Sequence, residues 1–114
     1  MQATIWHNPA CGTSRKTLEI LRDHPGVELT VIEYLKSPYD AAKLRQLIAD
    51  AGLTPAQALR LRGTDAEERG LAQMDDDTII SAMVANAAYV NRPFVETDKG
   101  VRLCRPQEIV HEIL

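Results

Sequence analysis

With 114 residues, 45% of them hydrophobic and 25% charged, the chain has the size and make-up of one soluble core rather than a disordered or fibrous segment. Its formal net charge of −3 argues against general attraction to nucleic acid or anionic lipid, and no apolar stretch approaches the roughly 18–20 residues of a membrane span. Two cysteines, Cys11 and Cys104, make no disulfide framework; with no basic-then-apolar leader at the start, the expected setting is a reducing cytoplasm.

In chain order, Ala3 to His7 reads as a short first strand. Ser14 to Arg22 places Leu18, Ile20 and Leu21 on a helical pattern, which His24-Pro25-Gly26 stops. Val27 to Tyr34 alternates, with Leu29 and Val31 facing inward against Thr30 and Glu33, so it is a second strand. Strand, helix, strand over this length is a βαβ unit whose two strands run parallel. A helical stretch follows. Asp40 to Ala51 puts Leu44, Leu47 and Ile48 on one face and ends at Gly52, while Thr54-Pro55 opens a short helix through Leu59. Asp65 to Gly70 is weakly helical, and Asp75-Asp76-Asp77 leads into a helix over Thr78 to Asn86, acids first as the helix dipole prefers. The period then changes. Phe94 to Glu96 and Val101 to Leu103 form a hairpin around Asp98-Lys99-Gly100, and Pro106 starts a last helix with Ile109, Val110 and Ile113 facing inward. The sum is one α/β domain over residues 1–114. It has a small mixed four-stranded sheet flanked by helices and a helical insertion at about 36–87, which is a thioredoxin-like arrangement.

The first strand-to-helix turn carries the chemistry. Pro9-Ala10-Cys11-Gly12-Thr13-Ser14 sets a lone cysteine at a helix start, where unpaired N–H groups and the dipole favour a thiolate and can hold an oxyanion beside it. Ser14 stands where a local redox pair would place its second cysteine, so any redox work must borrow a thiol from elsewhere. Thr17 stands where a phosphatase loop needs arginine, and no Cys/His cluster has zinc spacing, so no metal site is expected. His7, at the strand's end, either favours the thiolate as a cation or orients the loop by hydrogen bonding. Arg92-Pro93 and Arg105-Pro106 flank the hairpin. In this sheet the loop before the hairpin approaches the cysteine loop, and its proline is often cis. Nine arginines against four lysines also lean toward forked recognition of oxyanions.

Three separated motifs resemble one family. His7-Asn8-Pro9-Ala10-Cys11-Gly12-Thr13-Ser14-Arg15, Asn91-Arg92-Pro93 and Leu103-Cys104-Arg105-Pro106 follow in order with compatible spacing, and Leu47-Ile48-Ala49-Asp50-Ala51-Gly52 also matches in place. The chain resembles the glutathione- and glutaredoxin-dependent arsenate reductases of the thioredoxin-like superfamily along nearly its whole length. The resemblance implies arsenic detoxification, with arsenate reduced to arsenite through a Cys11 thiol–arsenate adduct. Glutathione would act as co-substrate, glutaredoxin as partner, and no cofactor would be tightly bound. It implies that Arg60, Arg92 and Arg105 bind the oxyanion, with Arg62 the alternative to Arg60. His7 would help depress the thiol's pKa, and Ser14 would donate a hydrogen bond to the thiolate. Cys104 is left open as a packed thiol or a disulfide partner of Cys11. Two other functions compete: a thiol oxidoreductase acting on glutathione mixed disulfides, and a redox-linked regulator that binds RNA polymerase. The regulator would want the second loop cysteine that Gly12-Thr13-Ser14 lacks.

Overall fold

A computed structural model describes all residues, 1–114. The chain gathers into two compact units, one of Met1–Ser37 with Arg92–Leu114 and one of Pro38–Asn91. The second unit takes in most of the stretch expected as a helical insertion.

The first unit is built on strand β1 (Gln2–His7), helix α1 (Gly12–Asp23), strand β2 (Glu28–Glu33) and the hairpin β3 (Phe94–Thr97) and β4 (Gly100–Leu103), closed by a 3-10 helix over Gln107–Ile113. Strand order is β2-β1-β3-β4, so β1 lies inside the sheet. It pairs parallel with β2 and antiparallel with β3, as the sequence predicts. The apolar side chains on one face explain the assembly. Ala3 and Ile5 from β1 and Val95 from β3 bury against Leu18 and Leu21 of α1, Cys104, and Val110 and Ile113 of the final helix. Full burial of each larger side chain is worth about 1.5–3 kcal/mol. Thr97 Oγ1 donates to the Ile113 carbonyl at 2.6 Å, which pins that helix to the hairpin.

Two expectations for this unit need correction. Val31 was expected inside, yet it is 40% exposed. β2 is an edge strand with a neighbour on one side only, so its side chains are less completely covered than those of β1. Leu29 still packs on the core, whereas Val31 does not. The last helix forms as expected, as a 3-10 helix, with Val110 and Ile113 fully buried, but Ile109, expected to face inward with them, is only half-buried. Its shorter repeat still brings residues three apart to the same side.

In the second unit, α2 (Ala41–Asp50) and α3 (Asp76–Ala85) pack together. Both begin on an aspartate whose carboxylate accepts a backbone N–H two or three residues into the helix. Asp40 takes Lys43 N–H at 2.7 Å, and Asp75 takes Thr78 N–H at 2.7 Å. Leu44, Leu47 and Ile48 are buried as their spacing predicts, as are Ile79, Ile80 and Met83. The helix expected over Thr54–Leu59 is only a capped turn. Gln57 N–H bonds Thr54 Oγ1 at 3.2 Å, and Thr54 N–H bonds Gln57 Oε1 at 2.9 Å, a reciprocal cap. The turn cannot propagate because the next residues are drawn into an extended pairing. Leu59 bridges Val90, Arg60 N–H reaches the Tyr89 carbonyl at 2.7 Å, and Asn91 N–H reaches the Ala58 carbonyl at 2.8 Å. Asp65–Gly70 likewise makes one turn, which Gly70 ends at a φ of 64°, a left-handed conformation that suits glycine.

Ile5 has no exposed surface and sits in the row of side chains that joins β1 to its neighbours on both sides. Ile5→Ala should cost about 2–5 kcal/mol, read as a lower midpoint in urea unfolding.

Candidate active site

The strand register brings the three sequence motifs to one end of the sheet. Trp6 of β1 pairs with Phe94 of β3, and Phe94 pairs with Leu103 of β4. The loop after β1, the residues before β3 and the residues after β4 therefore emerge together. Those segments carry Cys11, Arg92 and Arg105 respectively. Both Arg92–Pro93 and Arg105–Pro106 peptide bonds are cis.

Cys11 is the residue that opens α1. Its backbone is extended, its carbonyl accepts Arg15 N–H at 3.0 Å, and its own N–H donates to the Asn8 carbonyl at 3.0 Å. The side chain is 8% exposed. Arg105 Nη1 donates to Cys11 Sγ at 3.6 Å and also to the Arg92 carbonyl at 3.0 Å. One guanidinium nitrogen thus ties the sulfur to the segment before β3. Burial pushes the Cys11 thiol up. The Ser14 backbone N–H, hydrogen bonds from Arg92 and Arg105, and the Arg92 charge outweigh it, and the pKa falls from the ordinary 9.0 to about 7. The cysteine side chain makes no full capping hydrogen bond. The pull of the Ser14 N–H is that of an unpaired helix-start donor on a nearby anion. At neutral pH a sizeable share of Cys11 is thiolate, the nucleophilic form.

His7, Asn8 and Ser14 form a buried knot under the loop. His7 Nδ1 and Ser14 Oγ share a hydrogen bond of 2.7 Å, and Asn8 N–H donates to the same oxygen at 3.0 Å. The Ser14 hydroxyl is engaged there, while its N–H is what faces the sulfur. Burial holds the His7 imidazole below its ordinary value, with the Arg22 and Arg15 charges adding to the effect and Glu33 opposing it. The lowered pKa favours the neutral imidazole, and its contact with the loop is the hydrogen bond to Ser14. Asn8, which the motif contains but to which no role was assigned from sequence, is buried and helps to close the loop. Its Oδ1 accepts Ala10 N–H at 3.0 Å, and its Nδ2 donates to the fully buried Tyr34 hydroxyl at 3.3 Å. The signal was available, because an asparagine before proline favours a side-chain-closed turn. Arg15 folds back to donate to the Pro9 carbonyl at 2.9 Å.

Cys104 lies in the core with no exposed surface, and burial pushes its thiol up to about 12. Both cysteines are free thiols. Cys104 is therefore a packed group, and the disulfide alternative is not what the structure holds. Arg60 and Arg62 belong to the second unit. Arg60 is half-buried, with Nη1 donating to Asn91 Oδ1 at 3.3 Å and Nε to the Arg62 carbonyl at 3.2 Å, whereas Arg62 is exposed. The same unit holds a cluster not foreseen from sequence. The Tyr89 hydroxyl donates to Asp65, Arg69 Nη1 donates to that hydroxyl at 2.7 Å, and the Arg69 guanidinium lies 5.6 Å from the Tyr89 ring centre.

Residues 6–113 match the ArsC family. The chain belongs to the ArsC family. Among its relatives, the arsenate reductase of Rhizobium meliloti (strain 1021) is 50% identical over 116 residues, spanning all of this chain and 82% of that one. The arsenate reductase of Escherichia coli (strain K12) is 49% identical over 113 residues, or 97% of this chain and 79% of that one. The solved structure of arsenate reductase from Vibrio cholerae superposes with a TM-score of 0.91 at 33% identity, covering 100% of this chain and 98% of the other. The mixed four-stranded sheet with its flanking helices is the thioredoxin-like α/β fold of that family.

Alkylation by iodoacetamide should modify Cys11 and spare Cys104 in the native protein. The rate should rise with pH to a plateau with a midpoint near 7. Because Arg105 favours the thiolate, Arg105→Ala should move that midpoint upward and slow modification at pH 7.

Proposed function

We propose that this protein reduces arsenate to arsenite, with Cys11 as nucleophile and glutathione and glutaredoxin as the sources of electrons. The observation that carries this reading is the sulfur of Cys11 held at a helix start by Arg105 and Arg92. A thiolate ringed by forked cationic donors suits a tetrahedral oxyanion, whose charge the guanidinium groups offset as it approaches another negative centre.

In the first step the Cys11 thiolate attacks arsenic. An S–As bond forms and an As–O bond breaks. Dihydrogen arsenate and one proton are consumed, the thiol–arsenate adduct stays on Cys11, and water leaves. In the second step the glutathione sulfur attacks the Cys11 sulfur. An S–S bond forms, the S–As pair stays on arsenic, and the glutathione proton goes to an arsenite oxygen. Arsenic gains two electrons, and Cys11 is left as a mixed disulfide with glutathione. A glutaredoxin thiolate then takes the glutathione by disulfide exchange and returns Cys11 as thiolate, the better leaving group for its low pKa. No tightly bound cofactor enters this scheme.

Arg92 and Arg105 would bind the anion and favour the thiolate. Ser14 N–H would add a backbone donor, and His7, through the Ser14 hydroxyl, would hold the loop that presents it. Arg60 joins them on the family resemblance alone, preferred over Arg62 because it is half-buried and tethered to Asn91. A reducing cytoplasm suits a reaction that depends on free thiols. No helix is long and apolar enough to cross a membrane.

The purified protein with arsenate, glutathione and glutaredoxin should form arsenite, and Cys11→Ser should abolish it. Arg105→Ala should raise the KM for arsenate about 10- to 100-fold, the loss of one or two charge-assisted hydrogen bonds. Glutathione transfer from mixed disulfides with no arsenite formed would instead mark a general thiol oxidoreductase.

A further inference from the structure

Beside the nucleophile loop runs a groove of about 620 Å³, between α1 and the exposed edge strand β2. Its volume falls in the range of small-ligand sites. One end is formed by Pro9, Gly12 and the buried His7, the residues that flank Cys11 in the loop. Arg22 also lines it, with its charge close enough to act on His7. The α1 residues along it recur three and four apart, so they form a single stripe. Val31, the apolar residue that the edge strand leaves uncovered, lies in its lining.

The charges of this groove are mixed in a particular proportion. Arg15, Lys16 and Arg22 supply three cations, and Glu19 and Glu33 supply two carboxylates. All but the half-buried Glu33 are exposed, and the ion pair of Glu33 with Lys36 is long, at 3.8 Å, and solvent-facing. Such a pair holds little energy and yields readily to a ligand. The groove is thus net positive, yet it offers anionic positions for an ammonium. From Gly12 to Arg22 the helix advances about 15 Å, and an extended tripeptide spans about 10 Å.

We propose that this groove binds the thiol co-substrate, as a tripeptide thiol carrying two carboxylates and one ammonium. Its carboxylates lie along Arg15, Lys16 and Arg22, its ammonium faces Glu19 or Glu33, and its sulfur is directed to the loop end. The proposal rests on the reading that a soluble glutathione-type thiol reduces the Cys11 adduct. The oxyanion and the co-substrate then approach Cys11 from different walls, the first from Arg92 and Arg105 and the second from α1 and β2. A Cβ at Gly12 would make only an ordinary contact with Arg15 Nη2, at 3.7 Å, so the glycine sits beside that guanidinium without strain.

The test uses S-methylglutathione, whose capped sulfur binds without reacting, titrated into the full-length protein without arsenate. Backbone amide shifts are expected along Gly12–Arg22 and Val31–Glu33. Arg22→Glu or Lys16→Glu should each weaken binding at least tenfold, with dispersed spectra confirming that both variants are folded. Shifts confined to the surroundings of Arg92 and Arg105 would overturn the proposal. So would a dissociation constant unchanged within twofold in both variants, or no saturable shifts at all. Failure of the reductase reading itself shows separately, as absence of arsenite from the wild-type protein with every co-reactant present.

Discussion

A buried thiolate is costly unless donors and positive charge surround it, and this first unit is organised around meeting that cost for Cys11. Burial alone would raise the pKa, as it does for Cys104 in the same unit. The two cysteines differ in what they face. Cys104 is enclosed by Ile5, Val95 and other apolar side chains, while Cys11 faces a helix start and two guanidinium groups. The linkage has a definite sign. Because the folded pKa of Cys11 lies below its ordinary value, the thiolate's contribution to stability is present above about 9 and is lost as pH falls through about 7. Near neutrality, the fold's preference for the thiolate and the sulfur's readiness to ionise are one property.

Holding the sulfur in that field requires a rigid loop, and the buried polar knot supplies the rigidity. Ser14 Oγ serves both His7 and the Asn8 backbone, and Asn8 in turn closes the turn at Ala10 and reaches Tyr34. Each buried polar atom named there has a partner, so the network specifies one loop conformation rather than several. A neutral His7 is consistent with this. A second buried cation would have to be compensated in turn, whereas a neutral imidazole can position Ser14 with no added charge. The division of labour then separates electrostatics, from Arg92, Arg105 and the helix start, from positioning by His7, Asn8 and the Ser14 hydroxyl.

Edge and interior strands contribute differently. β1, β3 and β4 align the loop and both arginines through their register, and β1 is bonded on both sides. β2 has a free edge and carries Glu28, Thr30 and Glu33, polar residues of the kind that discourage pairing with another chain. The same incomplete cover that exposes Val31 leaves a groove beside α1.

Much of this was legible in the order of residues. The period-2 and period-3.6 patterns located the four strands and the three α-helices within a residue or two. The aspartates before α2 and α3 marked their starts, and the small-residue loop marked Cys11 as reactive, because these are local properties of adjacent residues. Tertiary structure decided the rest. The Thr54 turn has a good helix start, but its continuation depends on Leu59 meeting Val90, thirty-one positions away. Val31 looks like a core residue until its strand is known to lie at an edge. His7 could be cation or neutral until its burial was known, and Cys104 could be a packed thiol or a disulfide partner of Cys11 until it proved to be free and enclosed. Arg92 and Arg105 are arginines in a sequence rich in them. Only the pairing of Trp6 with Phe94, and of Phe94 with Leu103, puts them at one sulfur, because charge acts through distance in space and not along the chain.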